Sequence, residues 1–125
     1  MKINYDSNNS ILWEHKVIDS PIDKTALRYS VWRSRKNDPQ FGVLIINGRG
    51  EWIEKYSHIP TKFFKNESTI WLNIDHRGQG KSAGHRAYVR SYDDFTVDVG
   101  HITKTVFKDL PYYVLAHSMG GLIGI

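Results

Sequence analysis

With 125 residues, 40% of them hydrophobic and including four Trp, seven Tyr and five Phe, the chain can build a core but not more than one domain. Its 17 Lys and Arg against 13 Asp and Glu leave a formal charge of +4, with the two signs interspersed, which describes a solvated surface and argues against a nucleic-acid partner. The absence of cysteine excludes disulfides, thiolate metal sites and cysteine nucleophiles.

Residues 1–16 are polar and lack the apolar core of a secretory signal. The longest aliphatic run, Val43-Leu44-Ile45-Ile46, is far too short to span a bilayer. The expectation is a cytoplasmic protein. Its membrane contact would be peripheral, at an anionic inner face.

Residues 11–18 read as a first strand, and Ser20-Pro21-Ile22-Asp23-Lys24 as a turn. Residues 26–33 alternate, with Leu27, Tyr29 and Val31 on one face and Arg28, Ser30 and Trp32 on the other. That pattern predicts a half-exposed strand in a hairpin with the first. Asn37-Asp38-Pro39 is the next break. Residues 41–46 are almost continuously apolar, as a strand buried on both faces should be, and Asn47-Gly48-Arg49-Gly50 ends them. From 51 to about 65, Trp52, Ile53, Tyr56, Ile59, Phe63 and Phe64 fall at helical spacing, with Pro60 expected to break or kink the helix. Residues 69–74 predict a second buried strand, ending in Asp75-His76-Arg77-Gly78-Gln79-Gly80.

Residues 91–110 predict the clearest helix. Tyr92, Phe95, Val99, Ile102, Val106 and Leu110 recur at steps of three and four. Ser91 suits the N-cap, Asp93 and Asp94 suit the first turn, and Pro111 stops the helix. Residues 112–116 predict a third buried strand, and residues 120–125 begin another helix. Buried strands alternating with helices predict an α/β fold, a mostly parallel sheet led by an antiparallel hairpin. Ligands of such sheets bind outside the carboxyl ends of the strands. The three Gly-bearing turns, 47–50, 75–80 and 117–121, all fall there, so they share one edge.

Chemistry concentrates on that edge. Leu115-Ala116-His117-Ser118-Met119-Gly120-Gly121 sits between a predicted strand and a predicted helix. The pattern G-x-S-x-G in that context is a nucleophile elbow, a strained turn that lifts a serine hydroxyl above the sheet. Ala116 replaces the first Gly and adds one methyl, Gly120 is the second, and Gly121 adds room at the helix start. The Met119 N–H is a candidate oxyanion donor. The loop after the third strand, here residues 47–50 after the strand at 41–46, supplies the second donor in such folds, and Arg49 N–H, between Gly48 and Gly50, is the candidate. Gly78-Gln79-Gly80-Lys81-Ser82 resembles part of a phosphate loop, but the position that pattern reserves for its first Gly holds Asp75, an anion. It reads better as a crossover loop, shaped by Asp75 and Arg77, that supports the oxyanion turn. None of the six histidines has metal-ligand spacing, and no cofactor is implied. His117 flanks Ser118, but its side chain should point away from it.

These words, in this order, resemble the serine-lipase branch of the α/β-hydrolase superfamily, and within it bacterial lysophospholipases and monoacylglycerol lipases. The resemblance runs from about residue 41 to 125. It rests on Asn47-Gly48-Arg49-Gly50-Glu51 with Lys55-Tyr56, on residues 74–82, and on residues 115–121. It implies Ser118 as nucleophile, Arg49 and Met119 as oxyanion N–H donors, and Gly48, Gly50, Asp75, Arg77, Gly78, Gly80, Ala116, His117, Gly120 and Gly121 as supporting residues. The implied reaction releases a fatty acid from lysophospholipid or monoacylglycerol through an acyl-enzyme. Asn47 departs from the His or Pro with which the family commonly starts this turn. The family's catalytic Asp and His, its cap and its last strands would lie beyond Ile125. Residues 1–125 are therefore expected to form the N-terminal half of the fold, inactive alone and aggregation-prone, with an exposed apolar edge near Tyr112. The alternatives are a truncated non-catalytic product, a binding-only role, or another reaction of the same fold, such as thioester, general ester or carbon–carbon cleavage.

Overall fold

A short strand that the pattern did not announce, β1 (Ile3–Tyr5), starts the sheet in the computed structural model, which describes residues 3–5, 11–63, 68–86 and 89–123. It pairs antiparallel with β2 (Ile11–Asp19), which forms the expected hairpin with β3 (Ala26–Ser34), in register from Ile11↔Ser34 to Asp19↔Ala26. Then come β4 (Phe41–Ile46), β5 (Thr69–Ile74) and β6 (Tyr112–Ala116). The spatial order is β1-β2-β3-β5-β4-β6. β5, β4 and β6 run parallel, and β3 joins them antiparallel through β5. The antiparallel lead is thus three strands long, and the parallel part is confined to the last three.

This order positions the site. From β4 the chain crosses to β5 on one side, and it later returns to place β6 on the other. The loops after β4 and β6 therefore diverge from neighbouring carboxyl ends, the switch point where open α/β sheets bind ligands.

Each face of the sheet has its own core, as the two-residue period of strands requires. Leu44, Ile46, Leu72 and Ile74 pack with Phe95, Val99, Ile102 and Phe107 of α2 (Tyr92–Phe107). Ile45, Trp71 and Trp32 pack on the opposite face with Ile53, from a 3₁₀ turn at Ile53–Tyr56. Trp13 stacks on Trp32, its cross-strand partner, at 5.1 Å between ring centroids. Gly42 makes room for helix α2. A Cβ there would lie 2.7 Å from ring carbons of the buried Phe107. Gly42→Ala is expected to cost about 1–3 kcal/mol by overpacking. The measurement is the urea midpoint, and an unchanged midpoint would show that the ring moves aside freely.

Five expectations change. β3 is not half-exposed: Arg28, Ser30 and Trp32 are buried, because the loop after β5 and the 3₁₀ turn cover their face. Pro60 does not break its helix. The chain is already divided at Ser57, and Pro60 takes the third position of α1 (His58–Phe63), where a missing N–H costs no intrahelical bond. The expected end of that segment, Phe64 and Lys65, lies outside the described residues. Helix α2 begins as read, with Ser91 Oγ accepting from Asp93 N–H at 3.2 Å, but it ends at Phe107, where Lys108 adopts φ 55°, rather than at Leu110. β6 is a strand, not the buried one its apolar run suggested but the exposed apolar edge expected near Tyr112. Tyr112, Tyr113, Val114 and Leu115 are 45–70% exposed. Among the described strands it is an edge, so its apolar run meets solvent. The last helix, α3 (Met119–Ile123), starts one residue early, and Gly124 and Ile125 lie outside the described residues.

Candidate functional site

Ser118 occupies the turn between β6 and α3 with φ 55°, a left-handed conformation that non-glycine residues rarely adopt. Gly120 explains how helix and strand come so close. A Cβ there would lie 2.2 Å from the Ile46 carbonyl oxygen and 2.9 Å from that of Asn47. Only hydrogen fits. Gly121 differs, since a Cβ there meets nothing within 4 Å, so the extra room expected of it is unused. Ser118 is exposed, and its preceding N–H, that of His117, reaches Ile46 O at 3.3 Å.

The turn after β4 packs against this one. Gly48 N–H donates to Glu51 Oε1 at 2.5 Å, and Gly50 N–H donates to Gln79 Oε1 at 2.5 Å. Arg49 N–H, between them, has no acceptor among the described residues, and neither does Met119 N–H. Arg49 and Met119 line one cleft of about 530 Å³ with Val89, Tyr92 and Phe95. Uncommitted N–H groups on two residues that line one cleft are candidates to hold a negative oxygen.

Glu51 ties the two turns together. Its carboxylate is 5% exposed and accepts from Gly48 N–H, from Lys55 Nζ at 2.7 Å, from Tyr56 OH and from His117 Nδ1 at 3.2 Å. Burial alone would raise its pKa, but the bonds from Lys55, Tyr56, Gly48 and His117 outweigh burial and hold it at about 2. The same contact draws the Tyr56 hydroxyl up to about 12. The His117 side chain is thereby held on Glu51, not on Ser118, as the turn geometry led one to expect. The sign of the pH effect follows. A carboxylate depressed from 4.5 to about 2 adds stability that is fully present above 4.5 and lost as pH falls through 2. The stability gap between the wild type and Glu51→Gln should therefore narrow steadily from pH 5 to pH 2 in urea titrations. A constant gap would contradict it.

The loop after β5 is built around an internal anion. Asp75 is 0% exposed and accepts from Ile53 N–H at 2.8 Å, Arg28 Nε at 2.8 Å and Lys81 N–H at 2.9 Å. Gly80 crosses directly above it with φ 54°, where a Cβ would lie 2.3 Å from the carboxyl carbon. The place where a nucleotide loop would cradle a phosphate is thus taken by a side chain of the protein itself, bonded by one N–H of the loop, that of Lys81, and by donors from two other segments. Arg77 binds Asp98 through two nitrogens, at 2.7 and 3.0 Å, and Asp23 at 2.8 Å, fastening the loop to α2 and to the β2–β3 turn. Gly78 N–H closes the loop on Ala83 O at 2.8 Å. His76 is buried and pushed down in pKa by that burial, so its neutral ring donates from Nε2 to Asn47 O at 2.8 Å. Asn47 in turn donates to Ile74 O at 2.9 Å. An asparagine at the head of this turn therefore serves as a strut between β4 and β5.

Glu51, Gln79, His76 and Arg28 were missing from the sequence-derived set. Glu51, His76 and Gln79 lie within the quoted words and carry a local signal. Arg28 carries none, because its partners Glu54 and Asp75 are remote in the chain. Ala116 ends β6, where it pairs with Ile46. Among the described residues no cluster of His, Asp and Glu could hold a metal ion, and no helix is long and apolar enough to cross a membrane.

Residues 37–125 match the family model described as serine aminopeptidase, S33. The chain is 33% identical over 96 residues to a monoacylglycerol lipase of Mycolicibacterium smegmatis, an alignment covering 74% of this chain and 34% of that protein. It is 32% identical over 110 residues to lysophospholipase L2 of Escherichia coli K12, covering 82% and 32% respectively. A thermostable carboxyl esterase from Bacillus coagulans superposes with a TM-score of 0.70 at 24% identity, over 89% of this chain and 38% of the esterase. The chain thus spans about a third of the length of the curated relatives it matches.

Proposed function

The chain belongs to the serine aminopeptidase S33 family of α/β hydrolases, and from that membership we propose that it carries the nucleophile and oxyanion donors of a carboxylic-ester hydrolase acting on lysophospholipid or monoacylglycerol. The observation that carries this reading is a left-handed, exposed Ser118 directly before Met119, which lines one cleft with Arg49, both residues having an uncommitted N–H. The names of the relatives supply the substrate class.

The reaction would run through an acyl-enzyme. Ser118 Oγ attacks the ester carbonyl as a base takes its proton. Arg49 and Met119 N–H groups receive the oxyanion. Collapse expels the glycerol hydroxyl, which takes the proton back, and water then releases the fatty acid from Ser118 by the same steps. Among the described residues no histidine hydrogen-bonds the Ser118 hydroxyl, since His117 is held by Glu51 and His76 is sealed against Asn47. We assign the base and its carboxylate to protein outside these 125 residues, and the reading makes this stretch the N-terminal part of the working enzyme.

A fluorophosphonate probe tests the assignment. The complete gene product should be labelled at Ser118 and hydrolyse lysophosphatidyl lipids or monoacylglycerols in preference to thioesters and short esters. Labelling that survives Ser118→Ala, or hydrolysis confined to thioesters, would overturn it.

A further inference from the structure

We infer that the side chains of Arg49 and Arg86 make this site selective for a glycerol ester that carries a phosphate, over the neutral monoacylglycerol. The inference rests on the reading of Ser118 as nucleophile and chooses between the two substrates that reading leaves open.

The cleft beside Ser118 has an unbalanced lining. Its charged side chains are Arg49, Arg77 and Arg86, with no carboxylate among them, while Val89, Tyr92, Phe95 and Met119 make the rest largely apolar. Arg77 is already paired with two carboxylates, Asp98 and Asp23, and so contributes no free positive charge. The other nearby acids are also taken: Asp75 pairs with Arg28, and Asp94 with Arg90 at 2.9 Å. Arg86 is exposed and spends one nitrogen on Gly80 O at 2.8 Å, which holds the guanidinium at the rim without cancelling its charge. Arg49 is exposed and has no ion-pair partner among the described residues. Two cations at the mouth of an apolar cleft suit an anionic amphiphile.

Placement within the substrate agrees. In a lysophospholipid only the glycerol separates the ester from the phosphate. Arg49 spans a comparable reach by itself. Its N–H is the oxyanion donor of the proposed reaction, and the same residue lines the cleft with an exposed, flexible side chain long enough to reach a phosphate one glycerol away. A guanidinium meets phosphate oxygens through paired N–H donors. A diol headgroup offers no counter-charge and leaves both arginines to water.

The test uses the complete gene product and a matched pair of substrates with the same acyl chain, a lysophosphatidylglycerol and a monoacylglycerol. The readout is the ratio of their kcat/KM values. The wild type should favour the phosphate-bearing lipid by tenfold or more, on the order of a charge-assisted hydrogen bond. Arg49→Gln and Arg86→Gln should each lower that ratio severalfold, the double variant should abolish it, and Arg86→Lys should restore part of it. A wild-type ratio near one, or a ratio unmoved by both substitutions, overturns the inference. Inorganic phosphate and glycerol 3-phosphate are run as inhibitors. Inhibition by inorganic phosphate at concentrations matching the lipid's KM would mark a free-anion site and also overturn it. Fluorophosphonate labelling separates the two layers: labelling lost only in Ser118→Ala with an unchanged ratio sinks this inference alone, whereas labelling retained in Ser118→Ala sinks the reading beneath it.

Discussion

Ser118→Ala is expected to lower lipid-ester hydrolysis by the complete gene product by about 10⁴-fold or more and to abolish covalent labelling. The expectation has a geometric source. Ser118 holds φ 55°, and that conformation persists only where the surroundings over-determine it. Here Gly120 lies against Ile46 O on one side, and His117 is tied to Ile46 O and to Glu51 on the other. Alanine can adopt the same backbone, so the substitution removes the hydroxyl and leaves the two N–H groups of Arg49 and Met119. What survives should be weak, of the size that donors and binding supply without a nucleophile. Near-wild-type turnover by Ser118→Ala would remove Ser118 from the chemistry. Stability should barely change, because among the described residues the hydroxyl makes no hydrogen bond. A large fall in the urea midpoint would show that the turn needs it.

Asp75→Ala should have the largest effect on folding, a loss of about 3–5 kcal/mol. The carboxylate is fully buried, and three donors converge on it from three segments: Arg28 in β3, Ile53 in the 3₁₀ turn, and Lys81 in its own loop. Removing it strands the buried N–H of Ile53 and the partly buried N–H of Lys81, and leaves Arg28 with Glu54 alone, whose side chain is 38% exposed. Small domains are typically stable by about 5–15 kcal/mol, so such a loss is a substantial fraction of the whole. Asp75→Asn should recover little, because its amide turns a donor toward groups that are themselves donors. The urea midpoint reads both variants. A fall of under about 1 kcal/mol for Asp75→Ala would mean that water replaces the carboxylate.

The two expectations concern one apparatus. Asp75 holds the loop whose Gln79 receives Gly50 N–H, and Glu51 receives Gly48 N–H. Arg49 N–H lies between those two bonds. A defect in either carboxylate should therefore reach the chemistry through the aim of that single N–H, not through contact with substrate.

Local pattern made much of this legible. Strands β2 to β6 and helix α2 could be read because side-chain period and turn chemistry are properties of neighbouring residues. The same holds for the location of the three Gly-bearing turns at strand carboxyl ends. Burial was less legible. The alternation of β3 suggested a wet face, yet Arg28 and Ser30 are inside, because what covers them arrives some fifty residues later. β6 erred in the opposite sense, since its apolar residues state what they prefer to meet and not whether a neighbour is present.

By itself, then, the sequence determined strands β2 to β6, helix α2, the Ser118 turn and the family to which these residues belong, all of which depend on short-range spacing. Only the tertiary structure decided that β4 lies between β5 and β6, that Glu51 reaches His117 across 66 positions, and that Asp75 rather than a ligand fills the glycine-rich loop. Those are long-range pairings. They follow from which surfaces bury each other and which buried charges find donors, and no local period encodes that.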